Sequence, residues 1–199
     1  MIKKKEINIL VAMKREALPL INYWNLKLNS KKFYSNKKKG INLIISGIGK
    51  KKSEKETVYL AEKKNENSFF LNIGIAGHKD FKLGEIILVS KVTDNTTKYN
   101  WYPSLLWKTK IKKNSLITVR FPKIRYLTKH LYDMEAAGFF NGARRFVGPE
   151  LAQSIKIISD NKESSILNIS SNKIEHWIKL KIITIDKLSN EFIKVGSNQ

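Results

Sequence analysis

Residues 69–77 read FFLNIGIAG. The apolar run Phe69 to Ile73 predicts a strand buried on both faces, as in the middle of a parallel sheet. Gly74-Ile75-Ala76-Gly77 predicts a turn of small residues at its carboxyl end, where backbone amides can approach a ligand closely. A second run of the same kind, Ile7 to Ala12 (INILVA), lies near the start of the chain. Two such strands separated by helical patterns imply a layered α/β arrangement.

Working outward from these two runs, Lys14 to Trp24 carries Ala17, Leu18, Leu20 and Ile21 at helical spacing, interrupted by Pro19. Lys31 to Tyr34 and Ile41 to Ile45 read as a hairpin around the polar SNKKKG turn. Ser46-Gly-Ile-Gly49 opens a polar helical stretch, Lys50 to Lys64. Strands are expected at Ile86 to Val92, Leu116 to Val119 and Ile155 to Ile158. Asp94 to Trp107 reads as irregular and aromatic, and Arg120 to Tyr132 as a basic connector. Met134 to Phe146 reads as a helix with a small-residue side (Ala136, Ala137, Gly138, Gly142, Ala143). Glu150 to Gln153 is a short helical piece, and about Asn172 to Val195 a closing helix in which Ile182 to Ile185 also suits a strand. No repeat or linker divides the chain, so residues 1–199 are expected to form one domain.

Composition narrows the chemistry. The 199 residues include no cysteine, which removes disulfides and thiolate-bound metals. His78, His130 and His176 lack metal-ligand spacing, and His78 reads as a surface loop residue. Apolar runs are far shorter than the ~20 residues of a membrane span, and the basic start lacks a cleavage site, so a soluble cytoplasmic protein is expected. The formal charge of +21 would favour polyanions at low salt. It rests on 33 lysines and only 5 arginines, in a chain crowded with Ile and Asn. Bidentate guanidinium contacts are therefore few, and the excess reads as a compositional bias rather than a nucleic-acid surface. A non-catalytic nucleotide- or nucleic-acid-binding role remains the alternative from a different class.

Three acidic residues stand where an α/β sheet binds ligands. Glu16 sits one turn into the first helix; it suits either the positive end of the helix dipole or a general base over a cleft. Glu135 also opens a helix, and suits either the helix dipole again or a site where small residues permit close approach of a substrate or neighbouring backbone. Asp160 follows the strand-like KIIS and suits either a helix cap or a buried proton donor with a raised pKa. Gly47 and Gly49, like Gly74 and Gly77, match neither the dinucleotide nor the Walker spacing.

The order of these segments resembles the nucleoside phosphorylase and nucleosidase superfamily. AMKRE, ending at Glu16, is similar to its AMxxE segment, and SGIGK, with Gly49, matches its SGIGK turn. NIGIAGH and LGEIILVS resemble N-T-G-S-A-G-G and V-G-D-I-V; DMEAAG resembles V-E-M-E-A-A; IISDN resembles A-I-S-D. The resemblance spans about Ile7 to Asn161. It implies a three-layer α/β/α sandwich with a central mixed sheet, cleavage of the bond between a purine and ribose, no metal and no cofactor. Glu16 becomes the water activator, Asp160 the acid that protonates the base, and Met134 and Glu135 the ribose contacts. Gly49, Ile75, Ala76 and Gly77 join them as substrate-binding residues. The resemblance also implies a homodimer, with Tyr99 to Trp107 as an interface or lid. Ile75 replaces a Ser or Cys of the family turn, the 119–132 stretch is shorter than the usual base-binding region, and the family's phosphate arginines have no clear match, with Lys14, Arg15 and Arg120 as substitutes. Glu16, matching the water activator, makes hydrolysis preferred, with phosphorolysis and phosphate as co-substrate the alternative.

Overall fold

The computed structural model describes residues 5–63, 68–105 and 109–195, which leaves Lys64 and Trp107 outside. Ten strands share one mixed sheet. They are β1 (Glu6–Val11), β2 (Lys27–Ser30), β3 (Phe33–Asn36), β4 (Ile41–Ile45), β5 (Ser68–Gly77), β6 (Ile86–Asp94), β7 (Asn100–Trp101), β8 (Lys113–Thr118), β9 (Leu131–Asp133) and β10 (Ala152–Asp160). Helices α1 (Lys14–Trp24), α2 (Lys50–Glu62), α3 (Ala136–Ala143) and α4 (Ser171–Val195) cover it.

The central run β4-β1-β5-β10 is parallel throughout. All nine residues of β10 are buried, as are most of β5, so water reaches neither face. That is why these strands lack the alternation of a half-exposed sheet. β6 pairs with β10, β8 with β6, β9 with β8 and β5 with β9, so this half of the sheet closes into a ring. The other half ends in the antiparallel strands β3 and β2.

Two apolar clusters form on the two sides of the sheet. One joins α2 and α3 to the sheet through Leu60, Phe139, Phe140, Phe70 and Val89. The other joins α1 and α4 through Leu20, Trp24, Ile178, Phe69 and Phe192. Each fully buried side chain of this size stabilises by ~1.5–3 kcal/mol. Trp24 Nε1 also donates to Asp186 Oδ1 at 2.7 Å, which ties α1 to α4. The expected α/β class, with a central mixed sheet between helices, is what the chain forms.

Several boundaries differ from expectation. The small residues 74–77 are not a turn: β5 continues through them to Gly77, because β10 pairs alongside as far as Asp160. Pro19 does not end α1; burial of Ala17, Leu20 and Trp24 offsets the missing hydrogen bond. β2, short and exposed, had no apolar signal. The aromatic segment contains the two-residue β7, and the basic connector ends inside β9. α3 begins only at Ala136, so Glu135 stands just before the helix and its side chain makes no cap. The closing segment is one helix, with Ile182 to Ile185 inside it. His78 is buried rather than exposed: its Nδ1 accepts from the Asp80 and Phe81 amides, both at 3.0 Å, and its Nε2 faces the Lys129 carbonyl at 3.1 Å.

Candidate active site

Because β1, β5 and β10 run parallel, their carboxyl ends reach the same edge of the sheet. A cavity of about 320 Å³ opens there. Glu16, Ile75, Ala76, Gly77, Met134, Glu135 and Asp160 all line it. Gly49 does not; it lines an adjoining cavity with Ile48 and Val119, residues common to both. It still serves the first cavity, since its amide donates to Glu135 Oε1 at 2.9 Å.

Glu16 is fixed by the turn between β1 and α1. Its Oε2 accepts from the amides of Ala12 and Met13, at 3.0 and 2.8 Å, and its Oε1 from that of Ile75 at 3.0 Å. A carboxylate has about four acceptor positions, so these three donors leave one on Oε1. Burial raises the Glu16 pKa, while the backbone amides and the Lys156 ammonium oppose the rise. The helix-dipole reading and the cleft reading of this residue therefore coexist in one position.

Glu135 reaches the cavity through a close packing of helices. An ideal Cβ on Gly138 would lie 2.0 Å from the Lys50 carbonyl oxygen, so only glycine lets α3 press against the start of α2. The small-residue side of α3 thus receives a neighbouring backbone. Ser53 Oγ then donates to the Glu135 carbonyl at 2.9 Å. Burial and the nearby Asp133 charge push the Glu135 pKa up to about 7, despite Lys156.

Lys156 and Asp133 had no place in the sequence reading. Lys156 lies in mid-β10, fully buried, with its Nζ 2.8 Å from Asp133 Oδ2. Asp133 also accepts from Ala136 N at 2.8 Å and Thr118 Oγ1 at 2.7 Å. One buried cation thus faces three carboxyl groups, Asp133, Glu16 and Glu135. A signal existed: a single lysine within an otherwise apolar strand, Ile155-Lys156-Ile157-Ile158, must have a buried partner.

Asp160, at the last position of β10, lines the cavity beside Gly77, whereas Glu16 lies beside Gly74. Among the described residues no ammonium or guanidinium contacts Asp160. Ser159 Oγ donates to its Oδ1, and the Tyr126 hydroxyl to its Oδ2. Burial alone pushes its pKa up to about 7. Tyr126 also escaped the sequence reading, since nothing in the basic connector marks one tyrosine as buried. Among the described residues lining the cavity the only cation is Lys123.

Neither a family model nor a curated protein sequence matches the chain. Solved structures do. The 5′-methylthioadenosine/S-adenosylhomocysteine nucleosidase (MTAN) of Campylobacter jejuni superposes with a TM-score of 0.75 at 15% identity, covering 94% of this chain and 100% of that one. The MTAN of Chlamydia trachomatis gives 0.72 at 18%, covering 93% and 98%. The 5′-methylthioadenosine nucleosidase of Arabidopsis thaliana gives 0.72 at 16%, covering 98% and 97%. The chain has the fold of these nucleosidases over nearly its whole length.

Proposed function

We propose that this protein is an enzyme that hydrolyses the N-glycosidic bond of a purine nucleoside or a related compound. The observation that carries the proposal is the meeting of Glu16, Glu135 and Asp160 around one cavity of about 320 Å³. In this reading Glu16 accepts a proton from water at its one open acceptor position, and the water oxygen bonds to the anomeric carbon. The bond from that carbon to the base breaks, and Asp160 gives its proton to a ring nitrogen of the departing base. A pKa near 7 suits that task, because the acid is protonated and also ready to release. Glu135 hydrogen-bonds the ribose hydroxyls and Met134 packs against the ribose, where binding energy is most useful if realised in the transition state. Ile75, Ala76 and Gly77 form the floor, and Gly49 fixes Glu135. Lys156 offsets the clustered carboxylates beneath the sugar.

Hydrolysis is favoured over phosphorolysis because a single lysine is the only cation among the described cavity residues, too few for a phosphate dianion beside three carboxyl groups. The C. trachomatis protein has been solved bound to MTA and bound to adenine, which supports an adenine nucleoside as the first substrate to try. The same reading includes a single domain, a cytoplasmic homodimer and no cofactor. Among the described residues no helix is long and apolar enough to cross a membrane. A panel of nucleosides, including 5′-methylthioadenosine, incubated with and without phosphate tests the proposal. Free base together with free sugar, at equal rates in both arms, is expected. Sugar phosphate as product would move the assignment to phosphorolysis, and no base from any nucleoside would end it.

A further inference from the structure

The Asp160 carboxyl already receives one hydroxyl donor from its own chain on each oxygen, Ser159 on Oδ1 and Tyr126 on Oδ2. Ser159 is the preceding residue of β10, so its contact is local. Tyr126 comes from the connector before β9, 34 residues away in sequence. Its ring is buried, yet its neighbours Phe121, Ile124 and Leu127 are 69%, 60% and 86% exposed. Tyr126 is thus the inward anchor of a segment whose other apolar side chains face out. The place it enters is kept open by Gly77, where any Cβ would collide with both the Tyr126 hydroxyl and the Asp160 carboxyl. Tyr126 and Asp160 line the same end of the cavity.

We propose that Tyr126 is a positioning and specificity residue of this site, whose hydroxyl occupies the hydrogen-bonding place on Asp160 that a heterocyclic base must take. Base binding is then an exchange of partners at Oδ2. The inference rests on the reading of Asp160 as the group that meets the base. A phenol has one proton to donate, and a second acceptor stands ready: the Lys123 carbonyl oxygen lies 3.2 Å from the same hydroxyl. On leaving Asp160 the hydroxyl keeps a partner, so its withdrawal does not leave a buried polar atom unsatisfied. The proton stays on the tyrosine throughout; no bond other than hydrogen bonds is made or broken. The exchange also sets a preference. A base presenting a ring N–H to the ionised carboxyl replaces the donor it displaces, and a base presenting a bare ring nitrogen accepts from the protonated carboxyl, whereas a base with carbon there does neither.

The test is calorimetric titration of adenine into the full-length wild type and Tyr126→Phe, with the pH profile of kcat/KM for both. Tyr126→Phe removes the competing donor and keeps the ring, so adenine is expected to bind roughly 2- to 12-fold more tightly, the factor corresponding to the net worth of one hydrogen bond. Loss of a donor to the anionic carboxyl also favours its protonated form, so the basic limb of the profile moves to higher pH. A purely structural tyrosine would leave adenine affinity unchanged, while the shift of the limb reports the contact with Asp160 alone. Equal or weaker adenine binding by Tyr126→Phe, in a preparation whose wild type binds adenine and releases base, overturns this inference alone. A wild type that neither binds adenine nor releases a base from any nucleoside removes the underlying reading and this inference together.

Discussion

The carboxyl groups around the cavity, which the proposed function divides into a sugar end and a base end, are held in opposite ways. At the sugar end Glu16 is gripped by three backbone amides, Glu135 by the Gly49 amide, and Asp133 by an amide, a threonine and the Lys156 ammonium. These donors belong to strands and helix starts, so the groups cannot shift without the fold shifting. At the base end Asp160 has only two side-chain hydroxyls, and one belongs to an exposed connector. The first end has little freedom and a cation close to its acids; the second is neutralised only by keeping its proton. This asymmetry is what the proposed function would need, one part holding a sugar rigidly and the other handing a proton to a departing base.

The largest effect expected from breaking the comparison is at Asp160. Asp160→Asn keeps the shape and both hydroxyl neighbours while removing the transferable proton, and turnover should fall ~10²–10⁴-fold with the fold intact. Steady-state rates together with circular dichroism check it; wild-type-like turnover would remove Asp160 from the chemistry. The converse substitution lies at the other end. Lys156→Ala leaves Asp133 buried without its cation, which should cost ~3–5 kcal/mol of stability. Denaturant unfolding measures that directly. If Lys156→Ala unfolds like the wild type, the sugar end is not held by charge balance.

How much of this was visible beforehand depended on how local the cause was. Buried parallel strands announce themselves as β-branched runs, so β1, β5 and β10 were legible, and with them the edge where Glu16 and Asp160 end up. Glu135 was legible through its neighbours Met134 and Ala136. What the chain alone could not reveal were features created by pairing. β5 runs straight through glycines that resemble a turn because β10 supports it. His78 is buried because the 78–81 turn folds its amides onto the ring. Tyr126 is one of seven tyrosines, distinguished only by where a connector happens to point it. Lys156 was the one missed residue with a local signal, an ammonium among the isoleucines of β10.

A third expectation follows from titration. Asp160 has a folded-state pKa of about 7, far above its unfolded value of ~3.9. The folded state therefore holds a proton that the unfolded chain has already lost between these two values. Its contribution is fully present below pH ~4 and is lost as pH rises through about 7. Asp160→Asn cannot ionise, so it should match the wild type in melting temperature at pH 4 and exceed it at pH 8. A difference of ~2–4 °C accompanies each kcal/mol in a chain of this length. Activity should follow the same group, with kcat/KM falling as pH rises through about 7 because the acid must carry its proton. Melting curves that show no pH-dependent gap between the two proteins would mean that Asp160 is as easily ionised as an exposed carboxyl.

The smallest expected effect tests whether the two hydroxyls at the base end are equivalent. Ser159→Ala removes the local donor on Oδ1 and leaves Oδ2 to be shared by Tyr126 and the base. Losing one donor to the anion makes ionisation harder, so the basic limb of kcat/KM should move up. At ~0.5–1.5 kcal/mol per hydrogen bond and 1.36 kcal/mol per pH unit, the shift is about 0.4–1 unit. Adenine affinity measured below pH 6, where Asp160 is protonated in both proteins, should stay within about 2-fold of the wild type, because Ser159 does not stand in the base's place. A matched gain in affinity for Ser159→Ala and Tyr126→Phe would show that the base gains from any loosened carboxyl, and the distinction between a fixed local partner and an exchangeable distant one would fail.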